Sequence, residues 1–147
     1  MLLQKESNPG LNTVTAYGAG YVEINGERHR RPVRFEAEGP VDDWPVEDPA
    51  QLTVAALREL AGLKESAADP MAFLDGDAPA ASTGVEVVII GTGDKHIMLA
   101  HSLTAALLRQ GIGVESMSTQ AAARTYNILM SEGRRVVAAL IPPQENE

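Results

Sequence analysis

The chain has 147 residues, no cysteine, and 20 acidic against 12 basic side chains, for a formal net charge of −8. That composition excludes a disulfide framework, a cysteine-ligated zinc or iron–sulfur centre and a catalytic thiol, and it argues against general nucleic-acid binding, where Lys and Arg must neutralise phosphates. At 44% hydrophobic and 22% charged residues the chain reads as globular, not disordered, collagenous or coiled-coil; no apolar run approaches the roughly 18 residues a membrane span needs.

The opening Met-Leu-Leu-Gln-Lys-Glu carries an early acid and no long apolar core. Neither a secretory signal nor a transit peptide is expected there, and a cytoplasmic location is. Residues 1–12 are polar, lack a period and are expected to fray. Residues 13–38 read as an antiparallel ribbon: Val14 and Ala16, then Tyr21, Val22 and Ile24, turn at Asn25-Gly26 and return through Val33, Phe35 and Ala37. Trp44 is expected to pack under that ribbon. Leu52, Ala56, Leu60 and Leu63 recur with helical spacing. Either Asp48 before Pro49, with Gln51 reaching back as in a capping box, or Thr53 starts that helix. Residues 64–84 hold Asp69-Pro70, Asp75-Gly76 and Ser82-Thr83-Gly84, and read as a long loop or insertion.

The C-terminal third predicts strand, helix, strand, helix, strand. Val85 and Val87–Ile90 form a near-continuous apolar strand of the kind covered on both faces. A helix follows with Leu99, Leu103, Ala106 and Leu107 inward, closed by Gly111. Ile112–Met117 is the second strand. Thr119–Glu132 is the second helix, with Ala122, Thr125, Ile128 and Leu129 inward, ended by Gly133. Arg135–Ile141 is the third strand, and residues 143–147 a polar tail. This order requires parallel strands and right-handed crossovers. The expected fold is a three-layer α/β domain whose mixed central sheet carries a C-terminal parallel β-α-β-α-β unit and an N-terminal antiparallel ribbon.

The candidate site lies where the parallel strands end. Gly91-Thr92-Gly93 directly follows the first of them, and Ser118-Thr119 opens the helix after the second. Ligands in open parallel sheets sit beyond the carboxyl ends of the strands, and main-chain N–H groups there can hold an anion. The glycines can equally serve a tight turn, and the hydroxyls equally cap a helix. Arg124 and Asn127 are i and i+3 neighbours on that helix. Asn127 runs against helix propensity and is expected to hydrogen-bond a partner group. Glu132 is a candidate partner for Arg134 or Arg135. His29, His96 and His101 lack metal-ligand spacing, and no nucleophile–base pair appears, so neither a metal, a cofactor nor a catalytic residue is assigned. Arg28, His29, Arg30, Arg31 and Arg34 form a basic strip before the acids Glu36, Glu38, Asp42, Asp43, Glu47 and Asp48. Such a strip suits either a solvated hairpin or a contact with a second copy.

Several segments together resemble one known family. They are Tyr17-Gly18-Ala19-Gly20, Gly91-Thr92-Gly93, Gly111–Glu115, Thr119–Leu129 with its Thr125-Tyr126-Asn127, and Glu132-Gly133-Arg134-Arg135-Val136 running on to Pro142. The chain is similar to a small α/β domain family that contains a mitochondrial complex I assembly factor of the third numbered type, the adipogenesis-associated domain proteins and many bacterial and archaeal proteins. The resemblance implies a three-layer α/β fold with an added ribbon, and no established enzymatic activity. It implies action through protein partners. Separately, the exposed edge of the ribbon needs covering, and a homodimer is expected to cover it. Gly91, Thr92, Gly93, Ser118, Thr119, Arg124, Tyr126 and Asn127 are then the candidates for ligand or partner contact. Ala123 occupies a slot that holds Cys in many relatives, so no thiol role is transferred.

Overall fold

A computed structural model describes residues 10–63 and 84–144 of the chain. The expected features at 1–9, across 64–83 and at 145–147 lie outside the described residues. Among the described residues eight strands form two sheets: β1 (Val14–Gly18), β2 (Tyr21–Ile24) and β3 (Glu27–His29) in one, and β4 (Val33–Phe35), β5 (Asp42–Asp43), β6 (Val87–Gly91), β7 (Gly113–Met117) and β8 (Val136–Leu140) in the other. The α-helices among the described residues are α1 (Val54–Leu60), α2 (His101–Leu108) and α3 (Thr119–Ser131). The larger sheet has the order β5-β4-β8-β6-β7. β6 runs parallel to both β7 and β8, and β4 runs antiparallel to β8. The fold is therefore mixed α/β, with the parallel β-α-β-α-β unit the sequence predicts.

Because β6 lies between β7 and β8, the two crossovers run in opposite directions across the sheet. Right-handed connections then place their helices on opposite faces, and they do. Val87, Ile89, Val136, Ala138 and Leu140 face α3 and the three-stranded sheet. Val88, Ile90, Val137 and Ala139 face α1, α2 and Trp44. Alternate residues of β6 and β8 thus enter two separate cores, which is why both strands read as unbroken apolar runs.

Four sequence expectations are corrected. The ribbon is β1-β2-β3, and its return arm is Glu27–His29 in place of residues 31–38. Asn25 and Gly26 have φ of 55° and 83°, the left-handed pair of a two-residue hairpin turn. Such a turn pairs Ile24 directly with Glu27, and the chain after Pro32 is free to enter the larger sheet as β4. Trp44 consequently lies on the far face of that sheet, packed with Val46, Leu52 and Leu57, and not under the ribbon. Asn12, expected in the frayed start, is only 7% exposed. In α3 the inward residues are Thr119, Ala122, Ala123, Tyr126 and Met130. Thr125 lies at the margin, and Ile128 is 58% exposed, since the 3.6-residue period carries it to the outer side once 122 and 126 point inward.

Both candidate helix starts exist. Asp48 caps a short 3-10 turn over Pro49–Gln51, and Thr53 caps α1. The Gln51 side chain does reach back, to the Glu47 N–H at 2.9 Å. Gly111 and Gly133 end α2 and α3 with φ of 77° and 83°. In each case the next N–H reaches back five residues, Ile112 to Leu107 O and Arg134 to Leu129 O, both at 3.0 Å, the bond pattern of a Schellman close.

Candidate functional site

The carboxyl ends of β6 and β7 are a switch point, since α2 leaves over one face and α3 over the other. The structure brings Gly91, Thr92, Gly93, Ser118 and Thr119 together there. Thr92 N–H donates to Met117 O and Thr119 N–H to Gly93 O, each at 2.8 Å. The Thr119 hydroxyl accepts the Gly93 N–H at 2.8 Å and donates to Ile141 O at 2.5 Å. The Thr92 hydroxyl accepts the Ile97 N–H at 3.2 Å and lies 2.5 Å from Lys95 O. Thr92 and Thr119 are both buried. Ser118 caps α3 by accepting the Ala121 N–H at 3.3 Å. A Cβ on Gly91 would stand 2.9 Å from both Thr119 Oγ1 and Leu140 Cδ2, so Gly91 permits the close approach of β6 to the start of α3. The hydroxyls that could face a ligand are thus engaged with the chain itself.

The three remaining candidates separate. Arg124 is exposed and donates to the Tyr17 hydroxyl at 3.3 Å. Asn127 grips the edge of β1 with both amide atoms: Oδ1 accepts the Val14 N–H at 2.9 Å, and Nδ2 donates to Val14 O at 2.8 Å. Tyr126 is fully buried and donates to Asn12 O at 2.8 Å. Burial first, and the negative charge of Glu36 second, raise its phenol well above the usual range. Asn12 in turn donates to Glu36 O and Gly39 O at 2.7 and 2.9 Å and accepts from Asn25 Nδ2 at 2.8 Å. The Tyr126-Asn127 pair therefore fastens the three-stranded sheet to α3.

Beside Gly93, a small cleft of about 200 Å³ is bounded by Tyr17, Ala19, Asp94, Gln120, Pro143 and Gln144. Of these, the segments singled out in the sequence contain Tyr17, Ala19 and Gln120. The rest converge because Pro143 O takes the Gly20 N–H at 2.7 Å and Asp94 takes the Gln144 N–H at 3.0 Å. At the opposite end of the sheet, Arg134 and Arg135 bypass Glu132. Arg134 Nε meets Glu86 at 2.7 Å, the Arg135 N–H donates to the other Glu86 oxygen at 3.0 Å, and the Arg135 guanidinium meets Glu36 at 3.3 Å. Hydrogen bonds from Arg135 N–H and then Arg134 hold the Glu86 carboxyl below its ordinary value. Among the described residues no group of His, Asp or Glu is arranged to hold a metal, and no helix is long and apolar enough to cross a membrane.

Three comparisons place this architecture among known proteins. The solution structure of a Bordetella pertussis protein described as an Mth938-like domain is 49% identical, covers 99% of this chain and 95% of its own, and superposes with a TM-score of 0.73. An uncharacterised Rhodobacter capsulatus protein is 34% identical over 133 residues, 90% of this chain and 86% of its own length. Human NADH dehydrogenase (ubiquinone) 1 alpha subcomplex assembly factor 3 is 44% identical over 59 residues, 40% of this chain and 32% of that protein. The family model for proteins of unknown function DUF498/DUF598 matches residues 14–141, and the chain belongs to that family.

Proposed function

We propose that this domain works by binding other proteins, in the manner of an assembly factor for a respiratory complex, and is not built around a reaction. The observation that carries the reading is the inward turn of Thr92 and Thr119. They close the crevice where an α/β sheet would offer its ligand groups and leave a protein surface in its place. That surface holds exposed apolar side chains: Met98 is 79% and Ile97 43% exposed, next to the edge strand β7, where His96 Nε2 lies 3.3 Å from Ser116 Oγ. Apolar side chains of this size, exposed together, favour a protein contact. The partial similarity to a complex I assembly factor supports the same class. The cysteine-free composition suits work in a reducing cytoplasm, and a second copy of the chain is one partner this reading includes. An anionic ligand held by Gly93 and the start of α3 is the alternative.

The deciding experiment is affinity purification at native expression from the host, with wild type beside an Ile97→Ser, Met98→Ser variant. The expected result is co-purifying respiratory-complex subunits that the variant loses at unchanged melting temperature. A wild-type protein that returns without partners, and whose melting temperature rises with an anionic metabolite, would favour the ligand alternative.

A further inference from the structure

The ladder between β4 and β8 stops early. Its pairs are Val33 with Leu140, Arg34 with Ala139 and Phe35 with Ala138. Continued, it would set Ala37 against Val136. Instead Asn12 draws the chain after β4 away: its N–H donates to Ala37 O at 2.8 Å, and its side chain holds Glu36 O and Gly39 O. The two strands fork, and the fork is a groove of about 550 Å³. Arg135 turns its N–H and C=O toward Glu86 and β6. Strand alternation then turns those of Val136 into the fork, where the described residues supply no partner. Leu11, Ala37 and Met130 give the groove an apolar floor, and charged rims stand on either side. Those charges are unequally committed. Arg134 is paired with Glu86 and Arg135 with Glu36, whereas Glu38 is exposed and has no ion pair among the described residues. With Arg134 matched to Glu86 and Arg135 to Glu36, the charge left over at the groove is that of Glu38, negative like the net charge of the whole chain.

We propose that the fork between β4 and β8 is a docking groove for an extended segment of a partner protein in which an apolar side chain lies beside a lysine or arginine. The segment adds its main chain to the unpaired edge at Val136, places the apolar group on Leu11 and Met130, and offers its cation to Glu38. This rests on the protein-binding reading above and names the surface and the partner chemistry.

The probe is the capped peptide acetyl-Lys-Val-Lys-Val-Lys-amide, titrated to millimolar concentration into nitrogen-15-labelled protein, with the Glu-Val-Glu-Val-Glu peptide as control. The expected result is saturating amide shifts at Ala37, Glu38, Arg135 and Val136 with the lysine peptide alone, weakened up to about fivefold in Glu38→Lys, as loss of an exposed ion pair implies. Equal response to both peptides, shifts confined to other surfaces, or no response overturns the groove. Glu38→Lys is also carried through the host purification. If it keeps every partner and the groove amides do not move, the groove is overturned while the assembly reading stands. Loss of partners in Glu38→Lys but not in the Ile97, Met98 variant supports the groove and moves the contact away from β7.

Discussion

Gly91 shows how a single absent methyl group shapes the switch point. The strand end and the first turn of α3 approach so closely that a Cβ would meet the Thr119 hydroxyl and Leu140 at 2.9 Å. Gly91→Ala must push one of them aside; Thr119 is held by Gly93 and Ile141, and Leu140 is fully buried. The expected cost is about 1–3 kcal/mol in chemical denaturation; a neutral result would mean that the α3 start moves freely. Glu86 gives a different test. It is an exposed carboxylate whose pKa lies below the ordinary 4.5 because it accepts the Arg135 N–H and pairs with Arg134. A folded-state pKa below the unfolded one adds stability above the unfolded value, and that stability is lost as pH falls through the folded value. Glu86→Gln is therefore expected to lower the melting temperature at neutral pH, with the gap to wild type closing as pH falls below about 4.5. A gap independent of pH would show that the geometry of the clamp, and not its charge, matters.

Which side of α3 is buried divides what the sequence could show from what it could not. The helix, its Ser118 cap and its Gly133 close follow from local chemistry. So do β6 and β8, whose apolar runs need no partner to be recognised. The inward face of α3 was ambiguous, because Ala122 fits two apolar stripes and large Ile128 outweighs small Ala123 in any reading by hydrophobicity. The sheet resolves it by admitting Ala122 and Ala123, which let α3 approach closely, and the ring of Tyr126, which meets Phe35 edge-on at 4.9 Å. Met130→Ala should cost about 2–5 kcal/mol and Ile128→Gln less than about 0.5 kcal/mol, both read by denaturant titration. The reverse order would mean that the stripe through Ile128 is the buried one. The partnership of Arg134 and Arg135 with Glu86 and Glu36 was likewise hidden, since it joins residues 48 and 99 positions apart. The switch-point residues were visible as a group because each ends or begins an element. The direction of the Thr119 hydroxyl was not, since it depends on Ile141 O arriving from the end of β8.

Across the molecule, two sheets with little direct pairing behave as one body only if something couples them. The five-stranded sheet carries the parallel core, and the three-stranded sheet packs on it through α3. Asn127 supplies both hydrogen bonds to Val14 at the edge of β1, and Tyr126 supplies one to Asn12. Removing the amide leaves the Val14 N–H and C=O without those partners, at about 1–3 kcal/mol for such a loss. That penalty falls on β1 and on the strands paired to it, because β6 and β8 make their hydrogen bonds within the other sheet. Native-state hydrogen exchange separates local opening from global unfolding. In Asn127→Ala the amides of β1–β3 are expected to exchange faster by about the full penalty, with those of β6 and β8 slowed or sped only as far as global stability changes. If every strand loses protection equally, the two sheets unfold together and the clamp is one contact among many in a single cooperative unit. If the ribbon alone opens, its release also frees Asn12, and Asn12 is what holds Ala37 away from β8. The docking groove then exists only while the ribbon is fastened, so the same variant should lose the peptide-induced shifts at Val136 while keeping its parallel core.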